Sequence, residues 1–485
     1  MTQHTVNGTT LMQLGLKGKS VGLALHVIRS FEDTLDAELI LEAIEDVIRR
    51  PGHYVNHEVY GPLAYELDAA GRLARAKAAD TLRGTPLPYT TFGAHLIPEN
   101  AHEQMRVAMR LPIDIVGGAL MPDAHKGYGL PIGGVFATRG VILPYAVGVD
   151  IGCSMMQSVT TLQVTPSTFD SGELRERLIT ALTTLTRFGA GGTGFGEAHE
   201  VLDDADAWQN LPRELRHLRD KAAAQIGTQG GGNHFAEFGE YTSAAEPDVI
   251  HLALLSHFGS RGVGAQIANH YTKLAMKLHP HLPKEAQHLA WLDMTAEGAE
   301  YFHAMQLAGR FALAGHEILH RRLLTHLGLD TQLQVSNSHN LAWDEDGVIT
   351  HRKGATPADA GRLGIIPGSM ADSAWTVAGL GNPASLNSAS HGAGRQLGRN
   401  QAMAALSSRP DEVEAYLTSR GVTKLGGGLD EHPLAYKRIE EVILAQADLV
   451  DIVGRFQPRI VMMANDEPKG KQPKDPSDDV NPDGE

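Results

Sequence analysis

The chain of 485 residues contains one cysteine, no run of 18 apolar residues and no excess of basic charge. One cysteine cannot close an internal disulfide, so the expected setting is a reducing cytoplasm, and Cys153 must serve as core filler, thiol or metal ligand. Without a long apolar run no helical membrane span is expected, and the opening residues MTQHTVNGTT have neither the basic nor the apolar stretch of a secretory signal. Asp and Glu outnumber Lys and Arg by 57 to 42, a net charge of -15 that excludes broad, sequence-blind adhesion to nucleic acid but leaves room for a local basic site. Also missing are an internal repeat, a GxxxxGK[ST] phosphate loop and a regular βαβ alternation. What is present is a globular composition, 42% hydrophobic and 20% charged, that excludes a disordered, collagenous or coiled-coil chain, together with 24 histidines that raise the question of metals.

Residues 36–50, DAELILEAIEDVIRR, set Leu39, Ile40, Leu41, Ile44, Val47 and Ile48 at helical spacing and close at Pro51 and Gly52. They predict an amphipathic helix within an N-terminal region, residues 1–90. Between Met121 and Met156 short β-like runs such as Val141 to Leu143 are punctuated by glycine and proline, which helices do not survive. Residues 167–221 and 264–329 read as mainly helical, the former with the interruption FGAGGTGFG, and a Gly-rich region, 361–400, ends in a helix expected to begin near Ala393. The tail 466–485 carries seven acids, three lysines and four prolines with almost no apolar side chain, and is expected to be disordered. Helices and strands interleave without βαβ regularity, so the predicted class is α+β.

In VGVDIGCSM, Asp150 and Cys153 stand three apart around Gly152, so a tight turn can aim a carboxylate and a thiolate at one point. Taken alone, Cys153 reads equally as a small buried residue beside a turn aspartate. GTQGGGNHFAEFGE places Asn233, His234 and Glu237 after three consecutive glycines, where backbone can approach a ligand closely. SHFGSRGVG adds His257 and Arg261, and VSNSHNLAW adds His339 and Asn340. Any one of these histidines is more often structural; three in such settings beside an Asp/Cys turn favour a metal centre. In NSASHGAGRQLGR, His391 stands at the expected helix start with Arg395 and Arg399 four apart, an arrangement that suits a phosphate or, equally, a capped surface helix with solvated arginines.

Nine blocks occur in order across residues 90–463: MPDAHKGYGLPIGG, GVDIGC, GGGNHFAE, HFGSRG, SHN, RKGAT, IIPGSM, SHGAGR and AYK. In these the chain resembles the RtcB-type RNA ligases. The resemblance implies mixed sheets with flanking helices around a buried dinuclear metal site, in a catalytic domain at residues 91–465. It further implies an enzyme that joins an RNA 3′-phosphate or 2′,3′-cyclic phosphate to a 5′-hydroxyl, in RNA repair or tRNA splicing, using GTP and two Mn²⁺ ions through a guanylylated histidine. Carried over by position, Cys153 would bridge the two ions, with Asp150 and His234 on one and His257 and His339 on the other. His391 would be the nucleophile, oriented by Asp123. Asn233, Glu237, Asn340, Ser369, Arg395 and Tyr436 would form the nucleotide pocket, and Arg261, Lys353 and Arg399 would contact phosphate and RNA, with Arg395 sharing that role.

Three departures from the family pattern stand out. Met463 and Ala464 occupy the place where a terminal Lys-Gly commonly reaches the guanine, with Lys469 and Gly470 a few residues on; the turn reads GCSM; and Phe258 replaces a common serine, which is expected to alter the pocket wall. The first motivates two competing readings, a dinuclear-metal RNA-end phosphoesterase and a non-catalytic RNA-end-binding protein. The residues identify neither the physiological RNA nor a protein partner that activates turnover.

Overall fold

The structure, a computed structural model, describes residues 7–31, 34–189 and 191–465; the acidic tail lies outside the described residues. The chain divides at Thr81 and Leu82 into two compact units. The first is helical. Its central helix, Ala37–Arg49, buries Ile40, Ile44 and Val47 along one stripe, against Leu11, Leu16, Val27 and Leu63. Leu39, part of the predicted apolar set, points outward and is 51% exposed. Pro51 starts the next short helix, where its missing N–H costs nothing.

The second unit is built on two large sheets, with two further two-stranded pairs among its described residues. The larger, eight-stranded, runs Leu363–Ile366, Ala374–Gly379, Val450–Met463, Phe235–Ser243, Ile250–Phe258, Ser154–Gln163, Thr331–Ser338, with Thr423–Leu425 added alongside Val450–Met463. The smaller has five strands, Thr90–Thr91, Ile115–His125, Ile132–Arg139, Val348–Lys353 and Asn340–Glu345. Parallel and antiparallel pairs both occur, so the architecture is α+β with mixed sheets. Among the described residues no helix is long and apolar enough to cross a membrane.

The strand Ile250–Phe258 shows how the large sheet is held. Leu252, Leu254 and Phe258 face Leu319 and Leu323 of the 31-residue helix Glu297–Leu327. Ala253 and Leu255 face the opposite layer with Met155, Val335 and Phe456. Successive side chains therefore enter different cores, as the period of two demands, and each buried Leu or Phe contributes about 1.5–3 kcal/mol.

Four neighbouring strands of this sheet alternate in direction, each antiparallel to the next. The starts of Phe235–Ser243 and Ser154–Gln163 consequently meet the ends of Ile250–Phe258 and Thr331–Ser338 at one end of the sheet: Phe235 pairs with His257, and Ser154 with both Phe258 and Ser338. His234, Cys153 and His339 are the residues just beyond those ends.

The turn that precedes Ser154 is pinned from beneath. Gly152 has φ +74°, and a Cβ there would stand 2.7 Å from the Cα of Gly309 in the long helix. Its N–H donates to the Asn340 carbonyl at 2.7 Å. Gly152→Ala should therefore cost roughly 1–2 kcal/mol for the left-handed backbone alone, plus the displacement of turn from helix. A fall in melting temperature together with reduced binding of added divalent metal is expected; a variant that melts and binds metal like the wild type would refute this reading of the turn.

Candidate metal centre and catalytic cleft

Two sets of donor atoms, Cys153/His257/His339 and Asp150/Cys153/His234, each lie within 4.8 Å of one another and share the Cys153 sulfur. Cys153 Sγ is 3.2 Å from His257 Nε2 and 3.7 Å from His234 Nε2. His257 Nε2 is 3.3 Å from His339 Nε2, and His234 Nε2 is 3.1 Å from Asp150 Oδ2. Backbone carbonyls orient two of the rings: His234 Nδ1 donates to Gln229 O at 2.7 Å and His257 Nδ1 to Asn233 O at 3.3 Å. Their Nε2 atoms are thereby directed at the cluster, as metal-binding imidazoles require.

The electrostatics point the same way. Burial pushes the Cys153 thiol well up, with Asp150 adding to the effect. Burial also lowers His257 to about 3, and His339 well below the usual histidine range, each reinforced by neighbouring imidazoles. Burial presses Asp150 upward, but hydrogen bonds from His234 and Cys153 outweigh it and hold the carboxyl low. The neutral imidazoles of His257 and His339 and an ionised carboxylate around a thiol are a set that a divalent cation completes, because the cation makes thiolate formation favourable. The mixed O, N and S donors fit Mn²⁺ or Zn²⁺ alike.

Behind this cluster runs a buried hydrogen-bond chain that sequence reading missed. Gln334 donates to Ser158 Oγ at 3.0 Å, and Ser158 to His320 Nδ1 at 2.8 Å. His320 Nε2 then donates to Ser256 Oγ at 2.8 Å, Ser256 to His316 Nδ1 at 2.7 Å, and His316 Nε2 to Phe258 O at 3.0 Å. Every donor has an acceptor with both histidines neutral, and burial keeps both from protonating. Phe258 stacks on His316 with ring centroids 3.6 Å apart. It therefore faces the long helix, correcting the expectation that it alters the pocket wall: an even position on this strand points away from His257.

His391 lies on the other side of the cluster, its ring centroid 5.0 Å from that of His339. Its Nδ1 donates to Asp123 Oδ2 at 2.6 Å, and its backbone N–H donates to the same oxygen at 3.1 Å. Burial tends to raise Asp123, but His391 and Lys437 hold it below the usual carboxylate range. The predicted helix start near Ala393 is wrong: the helix is Arg399–Leu406, with Gly398 as its N-cap. Gly394, at φ +72°, lets the loop press onto Asp123, where a Cβ would stand 2.1 Å from the Asp123 carbonyl oxygen. That contact requires an irregular backbone, so His391 does not sit at a helix N-terminus and Arg395 and Arg399 do not share a helical face.

A cleft opens onto these groups. Asp150, Cys153, His257, His339 and His391 line it, as do Asn233, Asn340, Ser369, Tyr436, Lys353 and Arg395. His234 and Asp123 stand behind its wall, bonded to residues of the two clusters. Glu237 is buried within its strand and does not line the cleft; burial raises its carboxyl well above the usual range. Lys353 donates to Tyr128 O at 2.5 Å, and burial lowers its ammonium to about 7. Arg261, at φ +57°, is held by Thr228 Oγ1 at 3.0 Å and Gly189 O at 2.9 Å, away from the cleft wall. Arg395 and Arg399 both pair with the Asp430–Glu431 segment: Arg395 reaches Asp430 O at 2.8 Å and Tyr436 OH at 3.2 Å, and Arg399 reaches Asp430 Oδ2 at 2.5 Å. A second groove shares His125 and Arg395 with the cleft. Lys126, Lys284, Arg399, Lys437 and Arg438 line it against Glu285 and Glu441, giving a local cationic surface on an acidic chain.

Residues 104–464 match the family model described as tRNA-splicing ligase RtcB. The chain belongs to the RtcB family of RNA ligases. It is 32% identical to the RNA-splicing ligase RtcB of Escherichia coli K12 over 415 residues, covering 77% of this chain and 96% of that protein. It is 31% identical to the Mycobacterium tuberculosis RNA-splicing ligase RtcB, covering 72% and 97%. With the tRNA-splicing ligase RtcB of Thermococcus kodakarensis the identity is 29%, covering 70% and 86%. Within this RtcB chain the departure at Met463 bears on the cleft, whose wall it joins, while Lys469 and Gly470 fall outside the described residues.

Because Cys153 alone belongs to both donor sets, Cys153→Ala should abolish binding of both divalent ions, whereas His339→Ala should weaken one set and spare the other. Metal titration followed by elemental analysis reads this directly. Equal metal content in Cys153→Ala and wild type would exclude a shared sulfur.

Proposed function

We propose that the chain is a GTP- and Mn²⁺-dependent ligase that joins an RNA 3′-phosphate, or a 2′,3′-cyclic phosphate after its hydrolysis, to a 5′-hydroxyl end. One observation carries this reading: His391 is bonded through Nδ1 to a buried carboxylate, which leaves Nε2 free in a cleft that also holds the two metal donor sets. A nucleophilic imidazole needs that tautomer.

Asp150 with His234, and His257 with His339, would each hold one ion, with Cys153 between them. Such ions supply positive charge that offsets the repulsion between phosphate oxygens and an incoming nucleophile. His391 Nε2 attacks the α-phosphorus of GTP, a P–N bond forms and pyrophosphate leaves; Asp123 stabilises the charge that develops on the ring. An oxygen of the RNA 3′-phosphate then attacks the same phosphorus and His391 departs with its electron pair. The 5′-hydroxyl attacks the activated 3′-phosphate, loses its proton and releases GMP. Asn233, Asn340, Ser369, Arg395, Tyr436 and, from within its strand, Glu237 are assigned to the nucleotide. Lys353, Arg261 and Arg399 are assigned to phosphate and RNA, Arg399 from the cationic groove. The catalytic domain is taken as residues 91–465, and RNA repair or tRNA splicing in the cytoplasm as the setting.

With α-labelled GTP and Mn²⁺ the wild type should acquire an acid-labile, alkali-stable label, and His391→Ala should acquire none while keeping its metal. RNA ending in a 3′-phosphate should be joined to a 5′-hydroxyl, and a 3′-hydroxyl should not be joined to a 5′-phosphate. Phosphate release from RNA ends without any labelling would instead support a phosphoesterase, and RNA-end binding with neither would support a guarding protein. Labelling of His391→Ala would remove that residue from the chemistry.

A further inference from the structure

The strand Ile115–His125 pairs in step with Ile132–Arg139 from Gly117–Ala137 to Leu120–Gly134 and resumes only at His125–Ile132. Four residues, Met121 to Ala124, therefore stand against the single Gly133. Such a bulge bends the strand and deprives its carbonyls of ladder partners. Lys437 supplies them. Its Nζ donates to Pro122 O at 3.1 Å and to Ala124 O at 2.8 Å, the two carbonyls that flank Asp123. Its own backbone N–H donates to Gly394 O at 2.9 Å, three residues from His391 in the loop that presses on Asp123. One side chain thus ties the bulge, and one N–H the loop, at the point where Asp123 Oδ2 meets His391 Nδ1.

We propose that Lys437 is the positioning residue of the His391–Asp123 pair, fixing the bulge so that the carboxylate faces the imidazole and lending it a positive charge. This rests on His391 as the nucleophile. Burial lowers the Lys437 ammonium to about 8, with Asp123 opposing the fall. The titratable groups that face it are Asp123 and His125 from the strand and His391 from the loop; Arg438 and Glu441 line the same groove from its own segment. The sign follows. Above about pH 8 the ammonium loses its charge and its hydrogen bonds to the Pro122 and Ala124 carbonyls weaken, so the bulge is held less firmly and ligation should decline. Without the cation Asp123 should bind its proton more readily, and the acid limb should move to higher pH.

The test compares wild type, Lys437→Met and Lys437→Arg in metal-loaded, full-length protein. Lys437→Met should lose about 10- to 100-fold in kcat, by analogy with groups that orient metal ligands, with KM for RNA within about twofold. Its alkaline limb near pH 8 should disappear and its acid limb should rise, while Lys437→Arg restores much of the rate. Independently of activity, the downfield proton resonance of His391 Nδ1–H, identified by its absence in His391→Ala, should weaken or shift in Lys437→Met and persist in Lys437→Arg. Unchanged kcat with an unchanged proton resonance would overturn the proposal. So would a loss confined to KM with an altered salt slope, which would make Lys437 an RNA contact. If the wild type does not ligate, the proposed function fails and the resonance alone decides the role of Lys437. If Lys437→Met does not fold, Lys437→Gln takes its place in each comparison.

Discussion

Antiparallel alternation in the large sheet is the constraint on which the site depends. Four adjacent strands that alternate in direction bring two starts and two ends to the same edge, and the residues just past those ends are Cys153, His234 and His339, beside His257. Residues separated by up to 186 positions in sequence, Cys153 and His339, thereby become neighbours. The backbone ladder alone accomplishes this, before any side chain interacts. The Cys153 strand lies between the strands that bring His257 and His339, and His234 arrives from the strand on the far side of Ile250–Phe258.

Holding so many polar groups below the surface is costly, since a buried polar group without a partner loses one to several kcal/mol. Two solutions coexist. Toward the long helix, the chain from Gln334 through His320 and His316 to the Phe258 carbonyl satisfies its donors and acceptors in one direction, so it is rigid and neutral. Toward the cleft, satisfaction is deliberately incomplete. His339 Nδ1 and Asp123 Oδ1 are buried and find no partner among the described residues, and the Nε2 atoms of His257 and His339 face each other and the thiol. A network that is complete on one face and open on the other is rigid enough to position ligands and polar enough to accept them.

Charge follows the same division. The chain as a whole is strongly acidic, yet its cations gather where the cleft widens into the groove, and several are already engaged: Arg395 and Arg399 by Asp430 and Glu431, Lys353 by a backbone carbonyl. Such ion pairs keep the guanidinium groups in fixed places. The outcome is a local, oriented positive surface within a protein that repels polyanions elsewhere.

Much of the site was legible in the sequence because its residues sit in short blocks whose local chemistry is unusual: an Asp and the sole Cys around a glycine, histidines beside Gly, Ser and Asn. The helix Ala37–Arg49 was equally legible, since its periodicity depends only on neighbours in the chain. Reading failed where the deciding partner was distant. The segment after His391 looked like a helix start, but Gly394 is shaped by contact with Asp123, 271 positions away. Phe258 looked like pocket wall, but the strand period turns it to His316. Lys437 stood in the AYK block without an assigned role, because its partners are main-chain carbonyls exposed by a bulge. The sequence by itself determined which donor groups exist and which local turns can present them. Only the tertiary structure decided which of them meet, because strand register and backbone contacts, unlike helical periodicity, are set by residues far apart in the chain.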